Sequence, residues 1–146
     1  MIAFHLDPHS GVSPYLQIVQ QVKRALRLGL LQVGDQLPTV REVIAQITIN
    51  PNTVFKAYRE LEREGLVSSR PGAGTFVRRT LATTSPTSQA ELQASLRRWL
   101  ESAFAAGLDG ESALALFLST LQAVQQDAPT QDVLTQEAPR REEDPV

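Results

Sequence analysis

Residues 37–79, LPTVREVIAQITINPNTVFKAYRELEREGLVSSRPGAGTFVRR, carry the punctuation that decides the fold. Thr39 stands before an apolar-periodic run, and Glu42 follows where it completes a capping box, so a short helix opens there. A second helix opens at Asn50, whose side chain can accept from a first-turn amide, with Pro51 pre-set for the first helical position. Gly65 supplies its stop. Val54, Ala57, Tyr58 and Leu61 recur at helical spacing, which buries one face and leaves Asn52, Phe55, Lys56, Arg59 and Arg63 on the other. Only a few residues around Thr48 and Ile49 lie between the two helices, a turn length that forces a sharp crossing.

After Gly65 the period changes. Residues 66–69 and 75–77 read as short strands joined by the turn Pro71-Gly72-Ala73-Gly74, with Arg70, Arg78 and Arg79 flanking the tip. Glycines let the backbone approach a phosphate or a groove wall closely, and arginines release counterions on meeting phosphate. A crossed helix pair with a cationic outer face, followed by such a wing, is the order of parts needed to read duplex DNA.

Working outward, Ser13-Pro14 starts an upstream helix that ends at Gly29 and carries Tyr15, Ile18, Val19, Val22, Ala25 and Leu26 on its apolar face. It completes a three-helix core, because neither short helix can bury its own face alone. Downstream, residues 80–87 are polar and read as a linker. Ser88 and Glu91 form another capping box, opening a helix with Leu92, Leu96, Trp99, Leu100, Ala103 and Phe104 on one face. Gly107 ends it, and Asp109 caps a last helix striped by Leu114, Phe117, Leu118, Leu121 and Val124. Two such helices form an antiparallel hairpin that cannot enclose its own aromatics, and a region below about 40 residues rarely folds alone. The expected solution is a twofold homodimer built on Leu92, Leu96, Trp99, Leu100, Phe104, Leu114, Phe117, Leu118 and Leu121. The expected fold class is therefore mainly α. An N-terminal winged helix-turn-helix of three helices plus a β-hairpin wing, residues 1–79, precedes the linker at 80–87 and a two-helix dimerisation hairpin at 88–126. Residues 127–146, rich in Pro, Gln, Glu and Asp, are expected to be a disordered tail.

Charge divides along the same line. The formal net charge is -2, yet residues 1–80 hold ten Lys or Arg against six Asp or Glu, an excess of +4, and the remainder carries -6. The N-terminal half is built to meet phosphate and the C-terminal half to stay away from it. An excess of +4 per subunit is modest, so tight binding calls for two subunits acting together on successive half-sites of a pseudo-palindromic duplex. The absence of cysteine excludes disulfides, cysteine zinc fingers and thiol catalysis. No run approaches the roughly 20 apolar residues of a membrane span and no signal-like segment opens the chain, so the expected location is cytoplasmic, without membrane partners. No glycine-rich phosphate loop or nucleophile-base pair stands out, and His5 and His9 flank Pro8 without helical spacing. Neither catalysis, a cofactor nor a metal is expected.

LPTVRE, NPNTVFKAYRELEREGL and RPGAGTFV, in that order, resemble the winged-helix domain of the GntR family of bacterial transcription regulators. The upstream stretch FHLDPHSGVSPYLQIVQQVKRALRLGLLQVGDQ is similar to that family's first helix and its Gly-Asp-x-Leu-Pro approach, so the resemblance covers roughly residues 3–79. Within the family the chain looks most like the YtrA type, which carries only a two-helix appendage. The resemblance implies a homodimeric transcription regulator, commonly a repressor of transporter operons. The expected function is a sequence-specific repressor relieved by an effector whose identity the sequence does not carry. The resemblance also implies operator contact by Arg41, a phosphate or base contact by Thr53, and a close backbone approach at Gly72 and Gly74. Asn50 is a cap or a base reader; Asn52 points outward and can make the bidentate contact that asparagine offers adenine. Lys56, Arg59 and Arg70 complete the candidate DNA-binding set. Pro51 and Phe55 stand where many relatives carry arginine, and Pro71 replaces a polar or basic residue, leaving Arg70 as the wing anchor. Phe55 either touches a thymine methyl or packs on the neighbouring turn. Trp99 and Phe104 either fill a dimer core or line an effector site. The low charge and the two missing arginines also suit a protein-interaction or architectural module with only non-specific DNA affinity.

Overall fold

The computed structural model describes residues 2–128. The chain is mainly α, with a two-stranded antiparallel sheet inserted after the third helix, and its described residues divide into two compact units, one up to residue 93 and one from residue 94 on. The first unit holds α1 (Pro14–Arg27), α2 (Val40–Gln46), α3 (Pro51–Arg63), β1 (Val67–Arg70), β2 (Gly74–Val77) and the first turns of α4 (Pro86–Ala105). Both sequence-read caps of the helix pair form. Thr39 Oγ1 accepts from the Glu42 amide at 3.1 Å, and Asn50 Oδ1 accepts from the Asn52 amide at 2.9 Å. Gly65 sits at φ 75, the left-handed conformation that lets the chain leave α3 and enter the wing.

Ile18, Val22 and Leu26 of α1, Val43 of α2, and Val54, Ala57 and Leu61 of α3 lie in one core with Leu66, Val67 and Val77 at the base of the wing. Full burial of each large aliphatic side chain contributes about 1.5–3 kcal/mol relative to exposure, which is why three short helices hold together where none would persist alone. Tyr15, expected on the buried face of α1, is only half-buried; the buried position beside it is Gln17, 8% exposed. Gln17 meets the cost of burial by hydrogen bonding. Its Oε1 accepts from the Asp7 amide at 2.8 Å, and its Nε2 donates to the Asp7 carbonyl, Ser10 Oγ and the Val12 carbonyl. Gln21 grips His5 in the same two-sided manner one turn further on, at 3.0 and 2.6 Å.

The wing differs from its sequence reading by one residue at each strand. Arg70 pairs with Gly74, so the turn shrinks to Pro71-Gly72-Ala73, closed by the Ala73 amide donating to the Arg70 carbonyl at 3.0 Å. Arg78 and Arg79 lie at the base of the hairpin rather than at its tip. The Arg79 guanidinium donates to the Glu64 carbonyl at the end of α3 at 3.2 Å, away from the turn. α4 also starts earlier than its expected capping box. Ser85 Oγ accepts from the Ser88 amide at 3.2 Å and Pro86 takes the first helical position, so the first of two competent serines wins because the proline follows it. In the second unit, Asp109 caps α5 (Gly110–Asp127) by accepting from the Ser112 amide at 2.7 Å, and the hydrogen bonds from Ser112 hold its carboxyl below the usual range. Of the expected tail, Asp127 ends α5 and Ala128 is its C-cap. Residues 129–146 lie outside the described residues.

Tyr58 fastens α3 to the segment before α2: its hydroxyl donates to the buried Pro38 carbonyl at 2.6 Å. Burial, reinforced by the Glu42 carboxylate, raises its phenol above the ordinary value of 10.0. Tyr58→Phe strands that carbonyl and is expected to cost about 1–2 kcal/mol, read by urea denaturation. Because the folded value is raised, the wild-type advantage is complete below pH 10.0 and shrinks as pH climbs above it; urea midpoints of both proteins on either side of that value check the sign.

Candidate nucleic-acid interface

α3 presents its polar face because its other face is fully committed to the core. Asn52 is exposed at the first turn, and Thr53, half-buried, donates its amide to the Asn50 carbonyl at 2.9 Å. The Asn50 side chain is occupied by its cap bond, so its structural duty is met by geometry. Phe55 is 50% exposed and lines a groove with Pro38, Thr39, Val40, Arg59, Ser69 and Thr75. Phe55 thus lies beside the start of α2 with half of its surface open to solvent. A contiguous concavity runs along Thr39, Arg70, Gly72 and Gly74 at the wing tip. The start of α2, the outer face of α3 and the strands of the wing therefore line one groove, which adjoins the concavity at the wing tip. Glu62 holds the arrangement by accepting from the Ser69 amide at 3.2 Å, tying α3 to β1.

The cations are distributed unequally. Arg41 is exposed on α2 and, among the described residues, forms no ion pair. Arg59 Nε donates within its own helix, at 3.4 Å from the Phe55 carbonyl. Arg63, by contrast, donates to Glu60 through Nε and Nη2, a bidentate pairing that raises the arginine and lowers the glutamate from their ordinary values. Lys56 leans to the α1 side, with Nζ 3.9 Å from the centre of the Tyr15 ring. Arg70 lies over Phe76, Cζ to ring centre 4.7 Å, so the wing cation is steered by an aromatic neighbour on the adjacent strand.

Sequence reading missed Gln36. Residues 34–37 run beside β2 as a third strand segment: the Gly34 amide donates to the Val77 carbonyl at 2.9 Å, Leu37 to Thr75 at 2.8 Å, and Val77 back to Asp35 at 2.8 Å. Gln36 bridges Phe76, and its side chain reaches over the turn to the Ala73 carbonyl at 3.2 Å. The available signal was the alternation of exposed Gln36 with buried Leu37 just after Gly34-Asp35. Among the described residues no three His, Asp or Glu side chains gather as metal ligands, and no helix is long and apolar enough to cross a membrane.

This architecture, three helices with a wing behind the second of a crossed pair, defines a winged helix-turn-helix protein. Residues 14–77 match the model of the bacterial regulatory proteins of the gntR family, so this part of the chain is a helix-turn-helix domain of the gntR type. It is 47% identical over 79 residues to the HTH-type transcriptional repressor YtrA of Bacillus subtilis (strain 168), a match covering 54% of this chain and 61% of that protein. It is 40% identical over 74 residues to the HTH-type transcriptional regulator Rv1152 of Mycobacterium tuberculosis, covering 51% of this chain and 61% of that one. The chain thus spans about six-tenths of the length of these relatives. Among solved structures it resembles a transcriptional antiterminator from Listeria monocytogenes EGD-e, with a TM-score of 0.53 and 33% identity over 84% of this chain and 92% of that one.

Gly74 has φ +122, and a Cβ there would stand 2.5 Å from Gln36 Nε2. Gly74→Ala is expected to cost about 1–3 kcal/mol in urea denaturation. Adding Gln36→Ala should recover only the part due to the clash, because the backbone strain stays.

Proposed function

We propose that the protein is a sequence-specific DNA-binding transcription regulator of the YtrA type, a cytoplasmic, dimeric repressor of an operon released by a small effector. The observation that carries this reading is the pair of adjoining concavities, sharing Thr39, Ser69, Gly74 and Thr75, that Phe55 and Arg59 line on one side and the wing tip on the other, with Arg41, which forms no ion pair among the described residues, on helix α2. Direct readout needs polar groups that no structural bond has claimed, and Arg41, Asn52 and Arg70 meet that condition better than Arg63 does. Thr53 and Lys56 suit phosphate contact at the two edges of α3, and Gly72 suits close backbone approach. The name of the Bacillus subtilis relative, a transcriptional repressor, supports the direction of control.

The dimer is part of the same reading. Leu92, Leu96, Phe104, Leu114, Phe117, Leu118 and Leu121 are all exposed, Trp99 and Leu100 are half-buried, and within α4 and α5 only Ala103 and Ala113 are buried. That much apolar surface is a liability in water unless a second copy covers it. Leu118→Asp is expected to convert the dimer to monomer in sedimentation equilibrium, with a steep loss of affinity for a two-half-site duplex.

Fluorescence anisotropy of the purified protein against the DNA upstream of its own gene and a scrambled duplex, at one near-physiological salt concentration, tests the central claim. A preference of about 10³ or more is expected of a specific regulator. Equal weak binding to both duplexes would favour the architectural reading, in which the missing arginines at Pro51 and Phe55 are decisive. Arg41→Ala should weaken specific binding by about 1–3 kcal/mol, and unchanged affinity would remove Arg41 from the interface.

A further inference from the structure

An isolated two-stranded hairpin is marginally stable in water, yet a wing is useful only if its tip is presented in one pose. Here the hairpin is not isolated. Residues 34–37 add a third segment whose Leu37 is anchored in the core, and Gln36 sits opposite Phe76 in it. Side chains alternate along a strand, so Gln36 shares a face with Phe76, Gly74 and, across the register, Arg70. Gly74 contributes no side chain to that face. The vacated space is where the Gln36 amide passes on its way to the Ala73 carbonyl, 3.2 Å away, and a Cβ at residue 74 would meet it at 2.5 Å.

We propose that Gln36 is a positioning residue of the DNA interface: its amide pins the Ala73 carbonyl and so fixes the turn that carries Gly72 and sets the course of Arg70. Gln36 need not touch DNA. It removes the ordering that a free wing tip would undergo on binding, and the neutral amide does so without adding charge. This rests on the DNA-reading function proposed above.

The test uses the full chain and a duplex enriched by the wild type from a random pool. Gln36→Met keeps the length and exposure of the side chain and removes the donor. Its affinity for the enriched duplex is expected to fall about fivefold, on the scale of one neutral hydrogen bond. The heteronuclear NOE of the Gly72 and Ala73 amides in free protein should fall with it, while amides of α1 and α3 keep wild-type values. Wild-type affinity in Gln36→Met, or weaker binding with a tip as rigid as wild type, overturns the positioning role. A wild-type chain that enriches no sequence is a different failure, because it overturns the regulator reading itself and the role of Gln36 with it.

Discussion

The rest of the molecule depends on the apolar seam between α1 and α3. Ile18, Val22 and Leu26 face the same core as Val54, Ala57 and Leu61, and every one of the six is fully buried. A helix held so completely on one side has no rotational freedom about its axis, and that is what turns Asn52, Phe55 and Arg59 into a surface of fixed geometry. The Lys23–Glu64 ion pair, 2.8 Å across α1 and the end of α3, decorates this seam rather than creating it, since both side chains are partly exposed and such pairs contribute little.

The wing obeys a second constraint, which concerns chain economy. The same few residues that lead from α1 into α2 also flank β2, so the approach to the helix pair and the stiffening of the hairpin are one structural element. Leu37 and Pro38 look inward, with Tyr58 closing on the Pro38 carbonyl, while Gln36 looks out over the turn. Any displacement of α2 relative to α3 would therefore be felt at the wing. The candidate interface is thus tied together from three separate stretches of sequence.

Local chemistry was what the sequence made legible. Thr39, Asn50, Gly65 and Asp109 announce helix ends through groups that act within a few residues of themselves, and each is found at its expected terminus. Where two local signals compete the reading slips. Ser85 and Ser88 are both competent caps, and the outcome turned on Pro86. Contacts between distant stretches were invisible for a different reason. Gln36 meets Ala73 and Lys56 meets Tyr15 through register and helix packing, which no periodicity within either segment encodes. The candidate DNA contacts fall between these cases. Which residues point outward followed from spacing, but that Arg63 is tied to Glu60 and Arg79 to the end of α3 could be seen only once the neighbours were in place.

The N-terminal strap, anchored in the core by Phe4, is hydrogen-bonded to α1 by Gln17 and Gln21 through amide-to-backbone bonds that carry no net charge. A surface that docks on a polyanion changes its ionic atmosphere each time it arrives or leaves, and charged clasps nearby would tighten or slacken with it. Neutral clasps do not. Under the DNA-binding function proposed above, these neutral clasps keep residues 5–12 seated on α1 through docking and release.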